Sequence, residues 1–237
     1  MDAAAATAES RIVISGISPA TDDGRFPAKR IVGEQVAVEA DIFSDSHPVI
    51  SEEIVWRADD EEQWRHARMH LLSNDCRLAV LELPRVGRRR FAAESWLNPY
   101  ASFARDLAAK RDARQDVTLE TREGAALIRA ATFRTNGQIG AALEQFVDAF
   151  EHLTAANRVR VLLASETLEA MHRADERKSL VRSREYVIEA ERKAARFASW
   201  HELFPRSQSA SLARSGTFRD TIERLPVIWR AAPAREG

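Results

Sequence analysis

The first part of the chain alternates between apolar and polar positions with the period of a β-strand. The clearest run places Val36, Val38, Ala40 and Ile42 on one side, with mostly polar residues between them. This pattern is typical of an antiparallel strand that has one face in a core and the other in solvent. Similar short runs, divided by turn residues, predict a small antiparallel β-sandwich of the immunoglobulin-like type. The predicted strands are 11–14, 35–42, 53–57, 64–71, 78–83 and 88–96.

The period changes after Asn98-Pro99. Apolar residues then recur at helical spacing as far as Met171, and Asp116 or Thr118 is placed to cap the second helix. The links between these segments are short. They predict three or four helices that pack as an antiparallel bundle.

Strand-like sequence returns at Tyr186-Val187-Ile188 and at Arg196–Trp200. A strand-rich beginning, a helical middle and strands at the end predict an α+β fold, in which the helical bundle is inserted into the sandwich. The expected divisions are a disordered N-terminus at 1–10, a sandwich built from 11–99 and 185–205, and an inserted bundle at 100–184.

Composition argues against several classes of partner. The 237 residues carry 35 basic and 36 acidic side chains, so the net charge of -1 gives no overall field that attracts nucleic acid or an anionic membrane. The single cysteine, Cys76, can form neither an internal disulfide nor a thiolate metal cluster. The first ten residues lack the pattern of a secretion signal, and no run reaches the ~18 apolar residues of a membrane span. We expect a cytoplasmic protein without nucleic-acid or membrane partners.

Four tryptophans fall in predicted strands: Trp56, Trp64, Trp96 and Trp200. An indole can stack on the face of a sugar, but core packing explains most strand tryptophans, because aromatic residues dominate such cores by buried area. Trp64 follows an acidic turn and is expected to be the most exposed of the four. It is therefore the candidate carbohydrate contact.

Other polar clusters have simpler structural interpretations. His66 and His70 lie four residues apart and share one side of a predicted strand, but a third metal ligand is lacking. Arg88-Arg89-Arg90 could hold a phosphate, yet it is more typical of the start of an edge strand whose charges discourage pairing. Residues 59–62 are all acidic and lack the spaced oxygen ligands of a calcium loop. We expect no metal, no cofactor and no catalytic residue in this chain.

The predicted helices carry a stripe of large apolar residues. Much of this stripe must form the core of the bundle. An exposed remainder would be buried across a two-fold axis, at about 25 cal/mol per Å², so the chain is expected to form a homodimer. The stripe comprises Phe133, Ile139, Leu143, Phe146, Val147 and Phe150.

Several segments, in the same order along the chain, resemble the α-1,4-glucan:maltose-1-phosphate maltosyltransferase family, a branch of glycoside hydrolase family 13. They cover almost the whole sequence. The segments are Arg25–Arg30, Val38–Phe43, Gln115–Glu120, Glu123–Leu127, Arg196–Ser207 and Gly216–Pro226.

The resemblance implies an enzyme that moves maltosyl units from maltose 1-phosphate to an α-1,4-glucan. It also implies a homodimer whose contacts come largely from the sandwich and the helical insert. The two catalytic carboxyl groups of such an enzyme lie about 5 Å apart. In the family they lie on barrel strands beyond the position of residue 226. This chain is thus expected to be inactive alone.

After Pro226 the sequence departs from the family pattern and ends in an Arg-, Ala- and Pro-rich stretch. The resemblance makes 206–237 the truncated start of a catalytic barrel, and we expect it to be mobile because a barrel needs all eight strands. A frameshifted or truncated gene is one explanation. Two alternatives to a fragment of an enzyme remain for the function of the chain. One is a stand-alone module that binds α-glucan, and the other is an adaptor for another chain that carries the barrel.

Overall fold

The computed structural model describes residues 12–45, 47–196 and 202–231. The chain divides into two compact units, Met1–Glu191 and Arg192–Gly237. Among the described residues, the first unit contains all the strands and five α-helices, and the second contains one α-helix. None of the described helices is long and apolar enough to cross a membrane.

Ten strands are described, and their bounds agree broadly with the predicted runs. They are β1 Ile12–Ser18, β2 Ala28–Ile31, β3 Gln35–Ser44, β4 Ile50–Ala58, β5 Arg65–Arg68, β6 His70–Ser73, β7 Cys76–Glu82, β8 Gly87–Leu97, β9 Lys178–Arg182 and β10 Tyr186–Glu191.

The strands form two sheets. The first has the order β1-β3-β7-β6, and the second has the order β2-β10-β8-β4-β5, with β9 also paired to β8. All the strand pairs are antiparallel except β2 with β10, which is parallel. The α+β class is therefore confirmed, and the prediction of purely antiparallel pairing is wrong at this one pair.

A single apolar cluster lies between the two sheets. Val36, Val38, Ala40 and Ile42 of β3 are at most 2% exposed, as their alternation predicts. They belong to the same cluster as Phe91 and other residues of the second sheet. Because side chains alternate along a strand, the residues between these core positions point to the opposite face of each sheet.

Five helices follow β8, rather than the predicted three or four. They are α1 Pro99–Asp112, α2 Thr118–Thr132, α3 Gly137–Phe150, α4 Ala155–Leu162 and α5 Ser165–Arg173.

Side chains satisfy amide donors at the start of the first two of these helices. The Asn98 side chain accepts a hydrogen bond from the Ala101 amide at 2.8 Å and so satisfies one of the free donors of α1. The carboxylate of Asp116 accepts from the Thr118 amide at 3.0 Å and from its hydroxyl at 2.7 Å. Asp116 thus satisfies the first free amide of α2, as predicted, but from one position before the N-cap residue Val117.

The helices share a second apolar cluster, built around Tyr100, Phe103, Leu107 and Ile128. Gly124 allows the close approach of three helices there. A β-carbon at this position would lie 2.5 Å from the Phe103 ring of α1 and 2.9 Å from Leu162 of α4. No larger side chain fits unless these neighbours move.

The strands resume before residue 185, the position at which the sequence predicts the second part of the sandwich to begin. β9 lies within the stretch 100–184 that was predicted to be helical, and it pairs with the second half of β8. Arg196, predicted to begin a strand, ends a short 3-10 helix, Lys193–Arg196. The rest of that predicted strand, 197–200, and the predicted disordered segment 1–10 lie outside the described residues.

The second unit contains the 3-10 helices Lys193–Arg196 and Pro205–Gln208 and the helix α6, Phe218–Ala231. The buried Asp220 carboxylate accepts hydrogen bonds from the Thr217 amide at 2.7 Å and from the Arg214 guanidinium at 2.6 Å. Its partners in these bonds, Arg214 and then Thr217, hold the pKa of Asp220 well below its ordinary value. The start of α6 is thereby fixed.

Candidate functional site

Two buried glutamates face each other on the side of the second sheet away from the sheet core. Glu53 of β4 is in register with Glu94 of β8, and their side chains are only 9% and 7% exposed. Like charges directly opposite on adjacent strands repel, and burial adds a desolvation cost. We call these two residues the glutamate pair. Its formation requires compensating positive charge.

Arg177, in the turn before β9, bridges the glutamate pair. Its Nη2 donates to Glu53 Oε2 at 2.7 Å, and its Nη1 donates to Glu94 Oε2 at 3.0 Å. Arg182 of β9 donates to the other oxygen of Glu94 at 3.1 Å. A planar guanidinium group with several fixed donors is suited to bridging two carboxylates. The guanidinium carbon of Arg177 also lies 4.4 Å from the centre of the Trp96 ring, a cation–π contact.

Two histidines complete the surroundings of Glu53. Nε2 of His172, near the end of α5, lies 3.2 Å from Glu53 Oε1, and Nδ1 of His66 lies 3.0 Å from Glu53 Oε2. The His172 ring stacks on Trp96 with 5.6 Å between ring centres. The sheet thus contributes the carboxylates, and the helical segment and β9 contribute most of their partners.

The pKa of Glu53 reports this environment. Burial by itself raises it, but the hydrogen bond to His172, the charge of Arg177 and the contacts of His66 outweigh burial and lower the pKa from 4.5 to about 2. A carboxyl group with so low a pKa stays ionised near neutral pH and is unsuited to act as a general acid. The arrangement is therefore a structural tie between sheet and helices.

A cavity of about 460 Å³ lies beside this tie, between α1 and α5. Arg68, Arg105, Arg111 and His172 contribute to its lining, together with apolar residues. No group of three His, Cys, Asp or Glu side chains within the described residues is placed to hold a metal ion.

The tryptophans considered as sugar contacts differ in exposure. Trp56 packs against the sheet core, as predicted. Trp96 is fully buried too, but against His172 and Arg177 on the opposite face of the second sheet. Trp64 is half-buried, and the guanidinium carbons of Arg57 and Arg182 lie 5.0 and 4.3 Å from its ring centre. Carbohydrate contact at Trp64 stays a prediction. Trp200 lies outside the described residues.

The edge-strand interpretation of Arg88-Arg89-Arg90 is wrong. β8 lies inside the second sheet, paired with β4 on one side and with β9 and β10 on the other. The three charges are accommodated individually, because Arg90 donates to Asp59 at 2.8 Å and the buried Arg89 donates to the Arg85 carbonyl at 3.0 Å. Charge alone does not identify an edge strand.

His66 and His70 also separate. His66 contacts Glu53, whereas His70 lies on β6 of the other sheet and is exposed. The acidic turn 59–62 is largely exposed, and Asp60 and Glu61 both pair with Arg85. Neither cluster is arranged as a metal site.

The sequence interpretation did not identify the glutamate pair, Arg177, Arg182 or His172. A usable signal was Glu94, which stands in the middle of the otherwise mainly apolar stretch Phe91–Trp96. A charge at such a position is buried on a strand and needs a partner. The partners lie more than eighty residues later, so spacing could not reveal them.

Comparison with known proteins agrees with the family resemblance. A family model described as "Alpha-1,4-glucan:maltose-1-phosphate maltosyltransferase, domain N/S" matches residues 10–192. Relatives that carry the maltosyltransferase name include proteins of Pseudomonas aeruginosa, 40% identical over 221 residues, Burkholderia pseudomallei, 37% identical over 228 residues, and Chlorobaculum tepidum, 33% identical over 221 residues.

The matches cover most of this chain but a minor part of each relative. They include 93%, 94% and 93% of the chain, and 33%, 20% and 33% of the P. aeruginosa, B. pseudomallei and C. tepidum proteins. The chain therefore spans a third or less of these relatives. The ordered motifs, the α+β fold and the match over residues 10–192 lead to one conclusion: the chain belongs to the α-1,4-glucan:maltose-1-phosphate maltosyltransferase family and contains its domain N/S.

Proposed function

We propose that this chain is the non-catalytic, N-terminal part of a maltosyltransferase that elongates α-1,4-glucan from maltose 1-phosphate. The observation that carries the proposal is the match of nearly the whole chain to a third or less of each of the three relatives named above, in a region named domain N/S. The chain's role is to provide a scaffold and a dimer contact. The chain is proposed to act in the cytoplasm, where a protein with a single cysteine needs no disulfide.

The proposed scaffold is an immunoglobulin-like sandwich with a helical bundle inserted between β8 and β9. Two features support it. One apolar cluster joins both sheets, and the helices leave from the end of β8 and return in β9, which pairs with the same strand. Arg177, just before β9, donates to both members of the glutamate pair and so holds the end of the helical segment on the second sheet.

The proposed dimer contact includes the helical segment. Most of the apolar stripe belongs to the helical core, with Leu143 and Phe150 buried. Phe133, by contrast, is 88% exposed at the end of α2, and Leu119 is 71% exposed at its start. Large apolar side chains left in water favour burial against a second copy.

Sedimentation equilibrium over a wide concentration range tests the dimer. The proposal predicts a mass that rises toward twice 26.6 kDa, and Phe133→Ser should shift this transition to higher concentration. Leu212→Ser, which changes a fully exposed leucine of the second unit, is the control and should leave the transition in place. A constant monomer mass would contradict dimerisation.

The alternative function is a stand-alone module that binds α-glucan. It is favoured by the partly exposed ring of Trp64. Affinity electrophoresis in gels that contain glycogen distinguishes the two functions. Migration that glycogen retards, and that Trp64→Ala restores, supports the binding module, whereas unchanged migration removes it.

A further inference from the structure

The cavity between α1 and α5 has one wall made of small side chains. Ala101, Ala104 and Ala108 are spaced three and four residues apart, so they share one face of α1. Leu163 and Leu168 contribute apolar surface from the segment opposite. Because an alanine side chain is a single methyl group, this face leaves space that larger residues would fill. The volume of about 460 Å³ is within the range of small-molecule sites, about 300–1,000 Å³.

The charged lining of this cavity has one sign. Arg68, Arg105 and Arg111 line it, and no Asp or Glu does. This is unusual for a chain whose basic and acidic residues are almost equal in number. Each of the three guanidinium groups also pairs with a carboxylate at the surface, so an anion in the cavity would bind by taking the place of these partners.

The three arginines are available to a ligand. Arg105 and Arg111 pair with the adjacent residues Asp106 and Asp112, in contacts whose partners are all about half exposed or more. Arg105 also donates to the carbonyl of His47 at 2.8 Å, in an exposed contact. Arg68 pairs with Glu169 at 3.5 Å, also at the surface. Exposed pairs of this kind contribute about 0–1 kcal/mol, so exchanging them for a ligand costs little.

The other polar groups of the lining are already engaged. The Tyr100 hydroxyl donates to the Leu162 carbonyl at 3.0 Å, and the Asn98 amide donates to Ser51 at 2.8 Å. His172 is held by Glu53. Recognition in the cavity must therefore come from the arginines and from packing on the apolar wall.

We propose that this cavity binds a sugar phosphate, with its phosphate held by Arg68, Arg105 and Arg111 and its sugar ring packed on the alanine face of α1. Arginine presents paired donors that match phosphate oxygens. A sugar ring offers C–H groups to the alanine wall and hydroxyl groups to solvent. The site lies in a chain proposed to be non-catalytic, so it adds a binding role beyond the scaffold and stands or falls independently of it.

Isothermal titration calorimetry of the 237-residue chain with glucose 1-phosphate is the test, with glucose and inorganic phosphate as the two separate halves of the ligand. We expect saturable binding of glucose 1-phosphate and much weaker binding of either half. Arg105→Gln should weaken binding about tenfold or more, because it removes charged hydrogen bonds. Arg129→Gln, which changes an exposed, paired arginine outside the cavity, should have no effect.

A second pair of variants tests the cavity itself. Ala108→Leu fills the space without changing any charge and should abolish binding, whereas Ala109→Leu, at an exposed neighbouring position of α1, should not. Circular dichroism checks that both variants fold. Absence of saturable binding by the unmodified chain would overturn the proposal. Inorganic phosphate that binds as tightly as glucose 1-phosphate, and regardless of Ala108→Leu, would overturn it too.

Discussion

Arg177→Met is the substitution that most sharply tests the role of the buried tie. Methionine keeps much of the unbranched stem of arginine and removes the guanidinium group. Glu53 and Glu94 would then face each other in register with only Arg182, His172 and His66 as partners. We expect a large loss of stability, because a bridged pair of charges becomes a repelling one.

The magnitude follows from the contacts that are lost. Arg177 makes two charged hydrogen bonds, at 2.7 and 3.0 Å, and such bonds contribute about 1.5–3 kcal/mol each. The side chain is 32% exposed, which favours the lower part of that range. The contact with Trp96 at 4.4 Å adds about 0.5–1 kcal/mol. We therefore expect the free energy of unfolding to fall by about 3–4 kcal/mol.

Urea denaturation, followed by far-ultraviolet circular dichroism at neutral and at acid pH, measures this loss. The difference in the free energy of unfolding between the variant and the unmodified chain should become smaller as the pH falls, because protonation relieves the repulsion between the two glutamates. Arg173→Met is the control: it changes an exposed arginine of α5 paired with Glu169 and should cost about 0.5 kcal/mol or less. A loss below about 1 kcal/mol for Arg177→Met, or one independent of pH, would refute the reasoning.

Three further predictions concern other parts of the chain. The pKa of Glu53 is lowered from 4.5 to about 2, so its stabilisation is complete above pH 4.5 and is lost as the pH falls toward 2. Urea titrations should show this acid loss diminished in Glu53→Gln, and an unchanged pH profile would count against it. Gly124→Leu should destabilise the helical segment by about 1–3 kcal/mol through its clash with Phe103; equal thermal stability would show that the helices can separate there. Asp220→Asn should speed amide hydrogen exchange at the start of α6, because it weakens the acceptor of the Thr217 amide, and unaltered protection would contradict this.

The strands and helices were accessible from sequence where the apolar period was regular. β3 has four core positions in strict alternation, and all four are buried. The first helix begins at Pro99 after the Asn98 cap, a combination with a direct physical meaning. Local pattern suffices in these cases because each element's own residues determine both its period and its buried face.

Long-range pairing was less accessible. The parallel pair of β2 with β10 joins residues more than 150 positions apart, and β9 is mostly exposed, so its sequence lacks an alternating pattern. The charges of Arg88–Arg90 suggested an edge strand because their partners, such as Asp59 and Glu189, are distant in sequence. The bridge from Arg177 to the glutamate pair depends on strand register, which one sequence does not specify.

We propose that this chain contributes structure to a maltosyltransferase and not its chemistry. Phosphate release tests it most directly, when the purified 237-residue chain is incubated with maltose 1-phosphate and an α-1,4-glucan. A full-length relative, such as the P. aeruginosa protein, serves as the positive control. The account predicts no phosphate release above the rate without protein. Release that increases in proportion to the concentration of this chain would contradict it.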